Sequence, residues 1–148
     1  MPNEAPVWEQ CEEAEKMVGK LIENYPDKFG HIVPNQISVV QIVNKERPKG
    51  AKWFAKLDGV KAPISLFCNK RYVIHFFKST WEEFTAAQRS FILTEMLLRI
   101  PPPEDGGEPD GSVIPEDFKG MLELVKRFGV NPLADPALPD LSKDKQVF

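Results

Sequence analysis

The chain has very few of the side chains that hold metals or bridge covalently. It carries two cysteines and two histidines in 148 residues. Cys11 and Cys68 are far apart and belong to no C-x-x-C unit, which argues against a disulfide framework or a thiolate zinc site and leaves two idle or buried thiols. His31 and His75 have no spacing that makes them a ligand pair. No G-x-S-x-G elbow, glycine-rich phosphate loop ending in Lys-Ser or Lys-Thr, or G-x-G-x-x-G fingerprint is present, so nothing points to a serine hydrolase, a phosphate-loop nucleotidase or a dinucleotide enzyme. No run approaches the roughly 18 apolar residues of a membrane span. The opening residues lack the basic start and apolar stretch of a secretion signal, so the expectation is a cytoplasmic protein with no membrane partner.

What is present is a chain long enough for one substantial core, with 42% hydrophobic and 28% charged residues. Its net charge of −3 is unevenly spread. Between Gln41 and Tyr72 stand eight basic residues against Glu46 and Asp58, leaving +6 there and −9 on the remainder. A basic stretch of this kind suits nucleic acid or an acidic partner, and Lys45, Arg47, Lys49, Lys52 and Lys56 are its candidate contacts. A solvated hairpin edge kept soluble by lysine is the plainer reading, since aromatic stacking residues are sparse there. Glu104, Asp105, Glu108 and Asp110 lie in a glycine- and proline-rich loop without the alternation of a calcium-binding loop, and read as solvated acid.

Hydrophobic spacing predicts an amphipathic helix from Ala5 to Tyr25, closed by Tyr25-Pro26. A loop follows to Asn35. A β-branched strand from Ile37 to Val43 then turns at Lys45–Gly50 into a returning partner over Lys52–Leu57. Two further strands are expected, Ile64–Phe67 and Tyr72–Phe77. Ser79 or Thr80 would cap a helix from Trp81 to about Arg99 whose second half is apolar all round and belongs in the centre of a fold. Pro101-Pro102-Pro103 ends it, and a last helix runs from about Pro115 to Phe128. The sum is an α+β domain over 1–130, with a small, mainly antiparallel sheet, an N-terminal helix, a buried central helix and a C-terminal helix. An extended tail rich in proline and leucine, 131–148, lies against it.

Glu95 is the anomaly: a carboxylate in the middle of the most apolar helical run, where burying a charge is costly without a partner. In helical H-E-x-x-H, two histidines at i and i+4 bind zinc and the glutamate acts as general base. Here the five residues are Thr94-Glu95-Met96-Leu97-Leu98. Together with Tyr72–Phe77, Trp81–Thr85, Gln88-Arg89, Glu116-Asp117-Phe118, Lys126–Val130 and Leu138–Leu141, they resemble the metallopeptidases encoded by phages and prophages, over roughly Ile37 to Leu141. The resemblance implies a zincin-like fold whose motif has degenerated, with Thr94 and Leu98 standing where the histidines would be. It implies a scaffold with no bound metal or other cofactor that works by binding a protein or peptide, β-strand addition being one route. Residual hydrolysis through a rearranged site of His31, His75, Glu95 and Asp117 is the competing reading, with Glu116 a further carboxylate nearby.

Overall fold

The computed structural model describes residues 4–103, 110–114, 124, 127–128 and 132–143. Four strands form one sheet: β1 (Trp8–Gln10), β2 (Ile37–Ile42), β3 (Lys56–Gly59) and β4 (Tyr72–Phe77), in the spatial order β1-β2-β4-β3. The helices are α1 (Glu12–Asn24), α2 (Pro26–Phe29), α3 (Lys78–Glu82) and α4 (Ala86–Leu98). This is the α+β architecture the pattern predicts. Among the described residues no helix is long and apolar enough to cross a membrane.

The sheet is mixed. β1 and β3 pair antiparallel with their neighbours, while the longest ladder, β2 with β4, is parallel from Ile37↔Tyr72 to Ile42↔Phe77. The expected hairpin between 37–43 and 52–57 does not form, because β4 lies between those two strands. β4 suits that central place: Tyr72, Ile74 and Phe76 are buried on one face, and Val73, His75 and Phe77 cover the other. A strand apolar on both sides gains more from two neighbours than from an edge.

Three further expectations are corrected. Val7 and Trp8 fit a helical period, yet Trp8–Gln10 add to the free edge of β2, and Cys11 N–H continues the ladder to the Val39 carbonyl at 2.8 Å. The helix begins only at Glu12, with Glu12, Glu13 and Glu15 in its first turn, where the helix dipole favours them. Glu15 also accepts the Val39 N–H at 3.1 Å, taking over the role of a strand partner where β1 has ended. Ile64–Leu66 is a 3₁₀ turn instead of a strand, and it leaves Ile64, Leu66 and Phe67 exposed. The single helix from Trp81 is divided, and Ser79 and Thr80 lie inside α3. Thr85 caps α4 instead, in a reciprocal box with Gln88 (Gln88 N–H to Thr85 Oγ1 3.2 Å, Thr85 N–H to Gln88 Oε1 2.8 Å).

Ala14, Val18 and Leu21 of α1 and Phe91, Leu93 and Leu97 of α4 join Ile37, Val39, Ile74 and Phe76 in one core on one face of the sheet. Residues 132–143 complete this layer. Leu141 is fully buried, its N–H donates to Ser90 Oγ at 3.1 Å, and Asn24 Nδ2 donates to the carbonyls of Leu141 (3.1 Å) and Ser142 (2.9 Å). The C-terminal helix expected over 115–128 and the acidic loop residues Glu104, Asp105 and Glu108 fall largely or wholly outside the described residues. Of that helix, Leu124 is buried and Phe128 meets the Phe91 ring edge-on, with centroids 5.5 Å apart.

Candidate functional site: the α4 helix and the β3 edge

Every ligand position of a helical zinc motif must face an opening, and the burial of α4 decides which do. Thr94 is 0% exposed, and its hydroxyl turns back to donate to the Ser90 carbonyl at 2.8 Å. Glu95 and Leu98 are partly buried, as is Arg99, the residue that ends the helix. Thr94 is therefore turned into the core, away from the side that carries Glu95. The i, i+4 pair on that side is Glu95 and Arg99, a carboxylate and a guanidinium. Neither helical register supplies two neutral nitrogen ligands.

The histidines do not repair this. His31 Nε2 lies 2.8 Å from the Ile100 carbonyl, beyond the end of α4. His75 is on the opposite face of the sheet from α4, since its strand neighbours Ile74 and Phe76 are the ones turned to the helices. Glu116 and Asp117 lie outside the described residues. Among the described residues no group of three or more His, Cys, Asp or Glu side chains is placed to hold a metal ion. Cys11 is buried, and that burial pushes its thiol above the ordinary range, away from thiolate character. The donor set of the described residues does not fit zinc.

Beside the end of α4 lies an open cleft of about 480 Å³, lined by Leu57, Asp58 and Gly59 of β3 with Lys61, Arg99 and Val113. Its wall is a strand edge. Val60 N–H donates to Arg71 O at 2.7 Å, which puts Lys56 and Asp58 in the hydrogen-bonded set of the β3–β4 ladder. The N–H and C=O groups of Leu57 and Gly59 consequently point away from β4, toward the cleft. The far end of the cleft is closed tightly. A Cβ at Gly59 would overlap the Gly111 carbonyl oxygen, and Tyr72 Oη accepts the Gly111 N–H while donating to the Ser112 carbonyl. Arg99 Nε and the Arg99 carbonyl bond Ile114 O and N at 2.9 and 2.7 Å, which fixes the strap 110–114 against the helix end.

The five basic candidates are not a single surface. Arg47 folds inward, donating to the carbonyls of Ala51 and Trp53 and lying 4.3 Å above the Phe54 ring, so it shapes the loop that carries it. Lys45, Lys49 and Lys52 belong to that same loop, while Lys56 reaches over the Trp53 ring at 4.5 Å from β3.

Sequence reasoning missed what surrounds Trp53. Cross-strand register places Trp8 beside Ile42 and Phe77, and Val40 beside His75 and Lys56, on the sheet face away from the helices. His75 packs edge-on against both Trp8 and Trp53, at 5.6 and 6.0 Å, and Trp53 leans on Phe77 at 5.6 Å. Only the strand order assembles these rings, and no local spacing announces it. Burial pushes the His75 pKa below its usual value; the Asp58 carboxylate, 3.2 Å from Nδ1, opposes this, and Lys56 adds to it. The native imidazole thus binds its proton less readily than the unfolded chain does. Stability is expected to be fully present above the unfolded pKa of about 6.5 and to fall as pH drops through the lower folded value. Urea midpoints for the unaltered protein and His75→Asn across this window test it: their difference should change with pH, and a constant difference would contradict it.

A family model described as putative phage metallopeptidase matches residues 7–143. No curated protein matches the chain. No solved structure matches it either.

Proposed function

From the premise that the chain belongs to the putative phage metallopeptidase family, we propose that it is a non-catalytic member that binds an extended polypeptide segment along β3. One observation carries this reading: the outward backbone groups of Leu57 and Gly59 stand beside an open cleft, whereas the helix beneath offers no pair of metal-binding side chains. An added strand draws affinity from main-chain hydrogen bonds, and these need neither a metal nor a general base. Asp58, Lys61 and Arg99 give the cleft charges of both signs, so polar side chains of such a segment add to the main-chain bonds.

Reduced, alkylated casein with added zinc is a direct test. The protein should retain the labelled casein, release no new fragments and bind equally well with chelator present. In hydrogen exchange the outward amides of Leu57 and Gly59 should slow by about tenfold or more on binding, as edge amides do when paired. Zinc-dependent cleavage that scales with protein and vanishes with chelator would falsify the proposal. Retention that leaves those two amides unchanged would remove β3 as the site.

A further inference from the structure

We infer that the open face of the sheet, opposite the helices, is a stacking platform for single-stranded nucleic acid. The helical layer covers one side of the sheet; on the other, among the described residues, Trp53 of the loop before β3 packs over His75 and Phe77. At its centre, Trp8 and Trp53 meet His75 edge-on, and Trp53 leans on Phe77. Trp8 is 50% exposed even though it lies in a strand, and Trp53 and His75 are partly exposed. Burial of large apolar surface would normally be completed in a free-standing domain, so half-open indole rings held in fixed orientation are suited to a flat partner. Nucleobases present such a face whatever their sequence.

Charge identifies the partner among flat or extended ligands. Lys56 stands over the Trp53 ring, and the loop leading into Trp53 carries Lys45, Lys49 and Lys52, with Lys49 and Lys52 exposed. The acids on this side are engaged: Glu15, at the β1 edge, accepts from Gln10 Nε2 and Ser38 Oγ. Asp58 is the acidic residue of β3 and is engaged with His75; Glu46 is in the loop. Glu9 is turned to the helix side, where it accepts from Gln41 Nε2 at 2.9 Å and approaches Lys78. Cations beside part-exposed indole rings match a phosphate backbone running past unstacked bases. An apolar protein surface would not use the lysines, and an acidic peptide would not use the rings.

The test is a titration of the full chain with an oligothymidylate of about 20 nucleotides at low salt, followed by tryptophan fluorescence and by anisotropy of the labelled oligomer. Trp81 is buried and stacked on Phe76 with centroids 4.0 Å apart, so quenching reports chiefly on Trp8 and Trp53. Binding is expected with quenching and with an affinity that falls steeply as salt rises. Trp8→Ala and Trp53→Ala should each weaken it by about fivefold to a hundredfold, the loss of one base stack. Trp8 is half exposed, so its variant should remain folded; Trp53→Phe, which keeps a ring, should bind closer to the unaltered protein. Three results overturn the inference: no binding at low salt, binding undiminished in both alanine variants, or equal binding of poly-glutamate, which would reveal an acidic protein partner held by charge alone.

Discussion

The double substitution Thr94→His/Leu98→His is expected to cost about 2–5 kcal/mol of stability and to recruit no zinc. Written as sequence, it restores H-E-x-x-H. In the fold, the first new imidazole would have to fit at Thr94, a position with 0% exposure. It would displace a hydroxyl already satisfied by the Ser90 carbonyl and bring in two ring nitrogens with no water to meet them. Overpacking and an unsatisfied polar group act in the same direction. Urea unfolding reads the loss, and competition with a chromophoric chelator reads zinc. Stoichiometric zinc in a variant of unchanged stability would mean that Thr94 faces an opening.

Leu141→Ala is expected to lower stability by about 2–5 kcal/mol, the range for emptying a fully buried leucine. The residue stands near the end of a proline-rich segment that resembles a loose appendage. Yet its side chain is inside the core, and both its backbone groups are held, by Ser90 on α4 and Asn24 on α1. Leu133, only partly buried on the same segment, should cost clearly less when cut to alanine. Equal midpoints for Leu141→Ala and the unaltered protein would show that the segment is undocked in solution.

The two substitutions expose what sequence can carry. The apolar run of α4 announced a central helix, and the aromatic, β-branched run Tyr72–Phe77 announced a strand, because burial leaves a compositional trace. The docking of Leu138 and Leu141 was foreshadowed by leucines between prolines. Strand order left no such trace. Lys52–Leu57 followed a turn-rich stretch after β2 and so suggested a hairpin, but nothing local in β2 could reveal that β4, from much later in the chain, would take the adjoining place. Thr94 and Leu98 illustrate a similar limit. Helical spacing shows that they share a side of α4, while which side faces the core depends on the layers packed around it.

The same strand order shapes how the chain can reach its fold. The longest ladder joins Ile37 to Tyr72, and the layer below is closed by Ser90 meeting Leu141. Little of the sheet can therefore be rewarded by neighbours in sequence, and the entropy of closing long loops precedes the contacts that repay it. Early on, β2 and β4 carry exposed β-branched and aromatic faces without their partners, the condition under which strands of different molecules find one another. Folding speed and freedom from aggregation are thus expected to turn on the connection from β2 to β4, the same stretch of chain that carries β3 and one wall of the cleft.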